Sequence, residues 1–339
     1  MTDLTNAYNH CLPQWSVEIP WHQPQWQQIL PYLQQQRLPH ALLLQGPVGI
    51  GKAYFAERLA WRLLCHKPVD QLACGHCKSC KLLQAGTHPD LTHLQPEEKM
   101  YAIKIKQVRE VKQNLQLTAL QGGARVVIIN PVMQMNINAA NALLKHLEEP
   151  GNNTFFLLVH RWSAPLLATI SSRCQKLTFT MPAVSEARPW LQQHGIAEEQ
   201  LDLLLQLSSG APLLALDMMK QDAITMRHKL LVDLTAIFRR QKTPTQVADD
   251  WKKLPLERIL VWWHHWLIDL VKLKMTDSTI NICNQDIIKL LEHVSAKTSI
   301  MAVYAMLDAL QQHLQSLKQN PNAQLLCEDL LFRWHALTA

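Results

Sequence analysis

The stretch GPVGIGKA, Gly46–Ala53, follows the phosphate-binding pattern G-x-x-x-x-G-K-[ST] in every position but the last. In such a loop backbone N–H groups cradle phosphates, the lysine reaches the β- and γ-phosphates, and the final hydroxyl helps to hold magnesium. Gly46, Gly49, Gly51 and Lys52 are therefore candidate nucleotide-binding residues, whereas Ala53 offers no oxygen. The alternative is a plain glycine turn between a strand and a helix. Hydrolysis would also need an acidic residue ending a neighbouring strand and a group to position water. The best strand for that role, VVIINP, ends in Asn130 and Pro131. A neutral amide is a poor magnesium ligand beside a carboxylate, and proline has no polar side chain. These absences predict that nucleotide is not hydrolysed here.

A second motif follows. Of eight cysteines, four fall within sixteen residues as Cys65-x8-Cys74-x2-Cys77-x2-Cys80. Four thiolates at this spacing match a closed tetrahedral zinc site, and they leave no open position for catalysis. The zinc is expected to be structural, with redox sensing as the alternative. Gly75 suits the tight knuckle, and His66 and His76 lie close enough to substitute for a sulfur. Cys11, Cys174, Cys283 and Cys327 are scattered and read as ordinary thiols.

Alternating strands and helices must position these motifs. ALLLQG reads as a buried strand running into the glycine loop. The helix after it carries an apolar stripe of Phe55, Ala56, Leu59, Ala60 and Leu63, with Glu57, Arg58 and Arg62 expected to face away. DLTHL, RVVIIN, TFFLLVH and QKLTFT supply further strands. IKQVREVKQNLQL, with Val108, Val111 and Leu115 in register, NAANALLKHLEE and PLLATISSR supply helices. This alternation implies a mostly parallel sheet with helices on both faces. After Met181–Ser185 strands vanish and Leu-rich helical patterns take over, which places boundaries near residues 181 and 222.

The net charge of +6 is uneven. Residues 1–181 carry 17 Lys/Arg against 10 Asp/Glu, and the remainder 16 against 17. The basic excess thus accompanies the phosphate loop and favours anionic partners, nucleotide or nucleic acid; the alternative is a chance excess on a solvated surface. The longest apolar run, Ile259–Ile268, is half a membrane span, and the first residues show no charged-then-apolar leader. A soluble cytoplasmic protein is expected.

LPHALLLQGPVGIGK, CGHCKSC, QAGTHPDL, NAANALLKHLEEP and LLATISSRC occur in that order across the first 175 residues. Together they resemble the clamp-loader group of AAA+ proteins, as found in bacterial DNA polymerase III. A zinc module inside the ATPase domain is typical of its γ/τ and stator subunits. The resemblance implies an α/β AAA+ domain (1–181, zinc module 65–80), a small helical lid (182–222) and an all-α collar (223–339). It also implies a ring of five subunits, with γ/τ and δ as partners, that opens a sliding clamp and places it on primed DNA. No polymerase or ATPase activity is expected of the chain itself.

Within SSRC, Arg173 matches the family's arginine finger, which reaches across a subunit boundary to the neighbour's γ-phosphate. A guanidinium so placed stabilises charge on the transferred phosphoryl and is worth about 10³–10⁵ in rate. Ser172 is expected to shape the helix end and Cys174 to be a buried small residue. An active member would carry Asp-Glu where Asn130 and Pro131 stand, and Ser or Thr at Ala53. Its lid would offer an Arg at the position of Leu213, and its polar sensor falls near Val159–His160. Retention of Lys52 leaves passive binding of ATP or ADP open. The rival readings are an active ATPase with unorthodox magnesium ligands and an unrelated zinc-dependent nucleic-acid-binding protein.

Other features read as structural. His88–Asp90 orders the return from the cysteine excursion. Glu148 and Glu149 diverge on their helix and are assigned no catalysis. Ile259, Trp263, Trp266 and Leu270 make a packing stripe rather than a base-stacking platform, and Phe238–Lys242 is a solvated cluster.

Overall fold

Three apolar runs form the centre of the sheet. The computed structural model describes residues 17–97, 102–116, 121, 123–276, 282–317 and 321–337; Cys11 and the side chain of Leu115 lie outside these. The strands are β1 (Ala41–Gly46), β2 (Leu91–Leu94), β3 (Arg125–Ile129), β4 (Thr154–Arg161) and β5 (Gln175–Thr178). They pair in the order β2-β3-β4-β1-β5, every pair parallel. Parallel strands covered on both faces read as continuous apolar runs, and Leu42–Leu44, Val126–Ile129 and Phe156–Val159 are all at most 2% exposed.

Alternation along β1 divides the core in two. Leu42 and Leu44 point to one face, with Val126, Ile128, Leu157 and Leu177. There they meet α1 (Gln23–Gln34) and α2 (Lys52–Leu64) through Trp26, Phe55 and Leu59. Ala41 and Leu43 point to the other face, with Val127, Ile129, Phe156 and Leu158. That face is covered by Val108 and Val111 and by Ala139, Ala140, Leu143 and Leu147. α3 (Lys78–Gln84), α4 (Ile105–Gln116) and α5 (Ile137–Glu148) follow in order.

Two local expectations are corrected. Arg58 does not face away: it is 3% exposed, with its guanidinium carbon 5.5 Å from the Trp26 ring centroid. α1 covers α2 on a second side, so the buried surface of α2 is wider than its apolar stripe. PLLATISSR forms only the single turn α6 (Ala168–Ser171). Leu167 at its N-cap has ψ 128°, outside the helical range, so the helix starts only at Ala168.

The remaining helices are α7 (Val184–Gln193), α8 (Glu198–Leu207), α9 (Pro212–Lys220), α10 (Ala223–Phe238), α11 (Pro244–Trp251), α12 (Leu256–Thr276), α13 (Ile288–Lys297), α14 (Ile300–Ser316) and α15 (Ala323–Leu337). The described residues up to Ile196, with Gly210–Asp217, form one compact unit; Ala197–Ser209 and the residues from Met218 onward form another.

In the second unit α12 packs on α14, and α11 on α15. Trp263 stands edge-on to Trp251 and Trp334, with centroids 5.5 and 5.9 Å away. Ile259, Trp263, Trp266 and Leu270 are all buried, so the aromatic run is a packing face. Buried Asp269 accepts from the backbone N–H (2.9 Å) and amide (2.7 Å) of Asn284 and from Lys272 Nζ (3.0 Å). Asn284 in turn accepts from Arg227, which also pairs with Asp286. Arg239 and Arg240 are exposed, while Lys242 pairs with Asp233 at 2.7 Å. Among the described residues no single helix is long and apolar enough to cross a membrane.

Candidate metal centre, phosphate loop and arginine site

The four clustered cysteines converge. Their sulfurs all lie within 4.8 Å of one another. Cys65 Sγ stands 4.0 Å from Cys77 Sγ, and Cys74 Sγ 3.9 Å from Cys80 Sγ. A tetrahedron of sulfurs around zinc with Zn–S near 2.3 Å has edges of about 3.8 Å, so the cluster has the right size. Backbone N–H groups point at the sulfurs: Lys67 and Cys74 donate to Cys65, Cys77 to Cys74, and Cys80 to Cys77. Gly75 has φ 77°, a left-handed conformation that glycine adopts without steric cost, and it forms the knuckle. His66 and His76 are exposed and stand outside the cluster; His76 donates to the Cys74 carbonyl.

The thiols divide by environment. Burial pushes Cys65 and Cys80 up. Donation from the His76 region pulls Cys74 down, and at Cys77 burial opposes but N–H donation wins, taking the thiol to about 6. Four adjacent thiolates need a cation to coexist, which is the donor set's fit to zinc.

A hydroxyl ties this module to the sheet domain. Ser79 Oγ donates to the Leu64 carbonyl at 2.7 Å and meets His88 Nε2 at 2.9 Å. His88 Nδ1 accepts from Asp90 N–H, so Nε2 carries the proton and donates to Ser79. His88 and Asp90 are both 6% exposed, in keeping with a structural role for this segment.

The glycine loop joins β1 to α2. Gly49 (φ 77°) and Gly51 (φ 92°) require left-handed backbone. A Cβ on Gly49 would lie 2.8 Å from Leu214 Cβ, and one on Gly51 2.9 Å from both His22 Cε1 and Leu213 Cδ1. The start of α9 is thus seated on the loop, and Leu213 N–H donates to the Gly49 carbonyl at 3.0 Å. Trp21 Nε1 and His22 Nε2 both donate to the Ile50 carbonyl, at 2.9 and 2.8 Å. Burial is the main cause holding His22 down at about 3, against the Ile50 hydrogen bond and with help from Arg58 and Lys52.

Lys52 is 6% exposed and donates to the Pro47 carbonyl of its own loop. Burial, then Arg161, lowers it to about 7. Ala53 is 8% and Leu213 0% exposed. Asn130 is buried where β3 ends, with its N–H on the Leu94 carbonyl. His160 is buried and donates to the Ala164 carbonyl. Thus Ala53, Asn130, Pro131 and Leu213 bring no carboxylate, hydroxyl or guanidinium to this loop.

Arg173 lies two residues beyond α6. Its Nε and Nη2 reach Glu148 Oε1 at 2.7 and 2.5 Å, and Nη1 donates to the Thr169 carbonyl at 3.0 Å. The pair is partly open, with side chains 35% and 49% exposed. Ser172 closes α6, its hydroxyl on the Thr169 carbonyl. Cys174 is buried, and burial pushes its thiol to about 12. Sequence reasoning singled out Arg173 but did not anticipate its pairing with Glu148. It also missed Trp21 and His22, whose pairing with Ile50, 29 and 28 residues on, has no local pattern.

A family profile described as "DNA polymerase III, delta subunit" matches residues 21–183, and one described as "DNA polymerase III, delta subunit, C terminal" matches residues 221–336. The chain is 37% identical over 322 residues to DNA polymerase III subunit delta' of Pseudomonas aeruginosa, covering 94% of this chain and 97% of that one. It is 32% identical over 333 residues to the delta' subunit of Escherichia coli K12, covering 93% and 94%. To DNA polymerase III subunit tau/gamma of Haemophilus influenzae it is 35% identical over 162 residues, 48% of this chain and 22% of that one.

Proposed function

The chain belongs to the family of DNA polymerase III delta' clamp-loader subunits, and we propose that within the loader it does not hydrolyse ATP but supplies Arg173 to a neighbouring subunit's nucleotide. One observation carries this reading: the phosphate loop is met by the chain's own groups. Lys52 donates to the Pro47 carbonyl, and Leu213 stands against Gly51. Ala53, Asn130 and Pro131 supply none of the oxygens that magnesium prefers. ATP or ADP held by Gly46, Gly49, Gly51 and Lys52 would be held without turnover, and only after Lys52 left Pro47.

Arg173 fits the complementary role. Two hydrogen bonds, from Nε and Nη1, and an ion-pair contact of Nη2 do not exhaust the five N–H groups that a guanidinium carries. The remaining N–H groups are available to phosphate oxygens. The neighbour is a tau/gamma subunit, whose relative shares sequence with half of this chain. With delta it completes a five-subunit ring, and DNA and the sliding clamp are met through that assembly. Zinc held by Cys65, Cys74, Cys77 and Cys80 supplies structural cross-linking only. The division into AAA+ domain, lid (182–222) and collar (223–339), and action in the cytoplasm, belong to the same proposal.

Reconstitution with tau/gamma and delta tests it. Arg173→Ala should assemble normally but lower the DNA-stimulated ATPase of the loader; an unchanged rate removes the finger. Separately, ATP turnover by the purified chain that Lys52→Ala abolishes would refute the non-hydrolysing role.

A further inference from the structure

We infer that Glu148 is a positioning residue for Arg173, holding the guanidinium side-on so that its terminal edge faces outward; this rests on the finger reading above. Glu148 Oε1 accepts Nε–H and lies in ion-pair contact with Nη2, and the Thr169 carbonyl accepts one Nη1–H. The rotations about the last side-chain bonds, which an exposed arginine would sample freely, are thereby fixed before any phosphate arrives. A ligand meeting a preset fork loses less freedom on binding than one that must order it.

The placement of Glu148 argues that helix stability does not explain it. It is the last residue of α5, followed directly by Glu149. Carboxylates at a helix C-terminus oppose the macrodipole, so both are locally unfavourable there. Only Glu148 is compensated by Arg173.

Its base is also fixed. His40 Nε2 donates to the Leu147 carbonyl at 2.9 Å, and Leu147 is 2% exposed in the core. The His40 carbonyl accepts from Phe156 N–H at 2.7 Å, binding the same point to β4. The carboxylate therefore stands on a helix end held by β1 and β4, while Arg173 follows a single helical turn with little rigidity of its own.

The test uses the reconstituted loader with DNA, reading kcat and the KM for ATP. Glu148→Ala is expected to lower kcat by about threefold to tenfold, as befits loss of a partly exposed charge-assisted pair, with KM little changed. Glu148→Gln keeps an acceptor oxygen and should restore most of the rate. Glu148→Ala combined with Arg173→Ala should be no slower than Arg173→Ala alone. Glu148→Ser is carried in parallel, and assembly is checked by gel filtration for each variant. Four outcomes overturn the inference: wild-type kcat in both truncations, a faster truncation, Gln as slow as Ala, or additive losses in the double variant. If Arg173→Ala itself has no effect, the finger reading fails first; if it is slow while the truncations are normal, only the role of Glu148 fails.

Discussion

His22 offers a quantitative test of how the phosphate loop is held. Its ring is fully buried, edge-on to Phe55 and Phe179 at 5.5 and 5.4 Å, and donates Nε2–H to the Ile50 carbonyl. Burial, with Arg58 and Lys52 nearby, lowers it from 6.5 to about 3. The folded state therefore binds fewer protons than the unfolded state between these values, and stability rises with pH there. The full contribution is present above the unfolded value and is lost as pH falls from 6.5 towards 3. At about 1.4 kcal/mol per unit, the loss between pH 7 and pH 5 is about 2 kcal/mol. His22→Gln keeps a donor for Ile50 but cannot titrate. Urea unfolding of both proteins at pH 7 and pH 5, followed through hydrogen exchange of β1 and β4 amides, isolates the term because other groups cancel. Wild type should lose about 2 kcal/mol more than the variant. Parallel losses, within about 0.5 kcal/mol, would refute the argument that His22 is kept neutral.

Two further outcomes are expected. The purified chain should carry one zinc, bound more tightly as pH rises because the thiols must lose protons; Cys77→Ser should abolish the metal by elemental analysis and lower the melting temperature. Asp269→Ala strands the two Asn284 donors and Lys272 and should destabilise the second unit by about 3–5 kcal/mol in denaturant titration, with Asp269→Asn milder.

The features legible in the sequence are those with a short period. The apolar runs at Leu42–Leu44, Val126–Ile129 and Phe156–Val159 read as strands, and the glycine and cysteine spacings marked their turns, because each pattern lies within one element. Arg58 was misread because a helical stripe says nothing about a second helix laid across its edge; the ring of Trp26 buries it from outside. Ser79 with His88, Glu148 with Arg173, and Asp269 with Asn284 were illegible for one reason. In each pair two elements must first be brought together by the sheet or the helical packing before the polar groups meet. Polar residues of that kind look solvated in sequence, and only the fold reveals their acceptors.

α2 begins at Lys52, directly after Gly51 of the phosphate loop, and ends at Leu64, next to Cys65. Its thirteen residues span about 20 Å at 1.5 Å each. Helices ordinarily fray at both ends, but here Trp21, His22 and Leu213 grip one end and the sulfur cluster with Ser79 grips the other. The helix is a strut with no loose end. The two motifs that look independent in the sequence therefore sit at the two held ends of one helix.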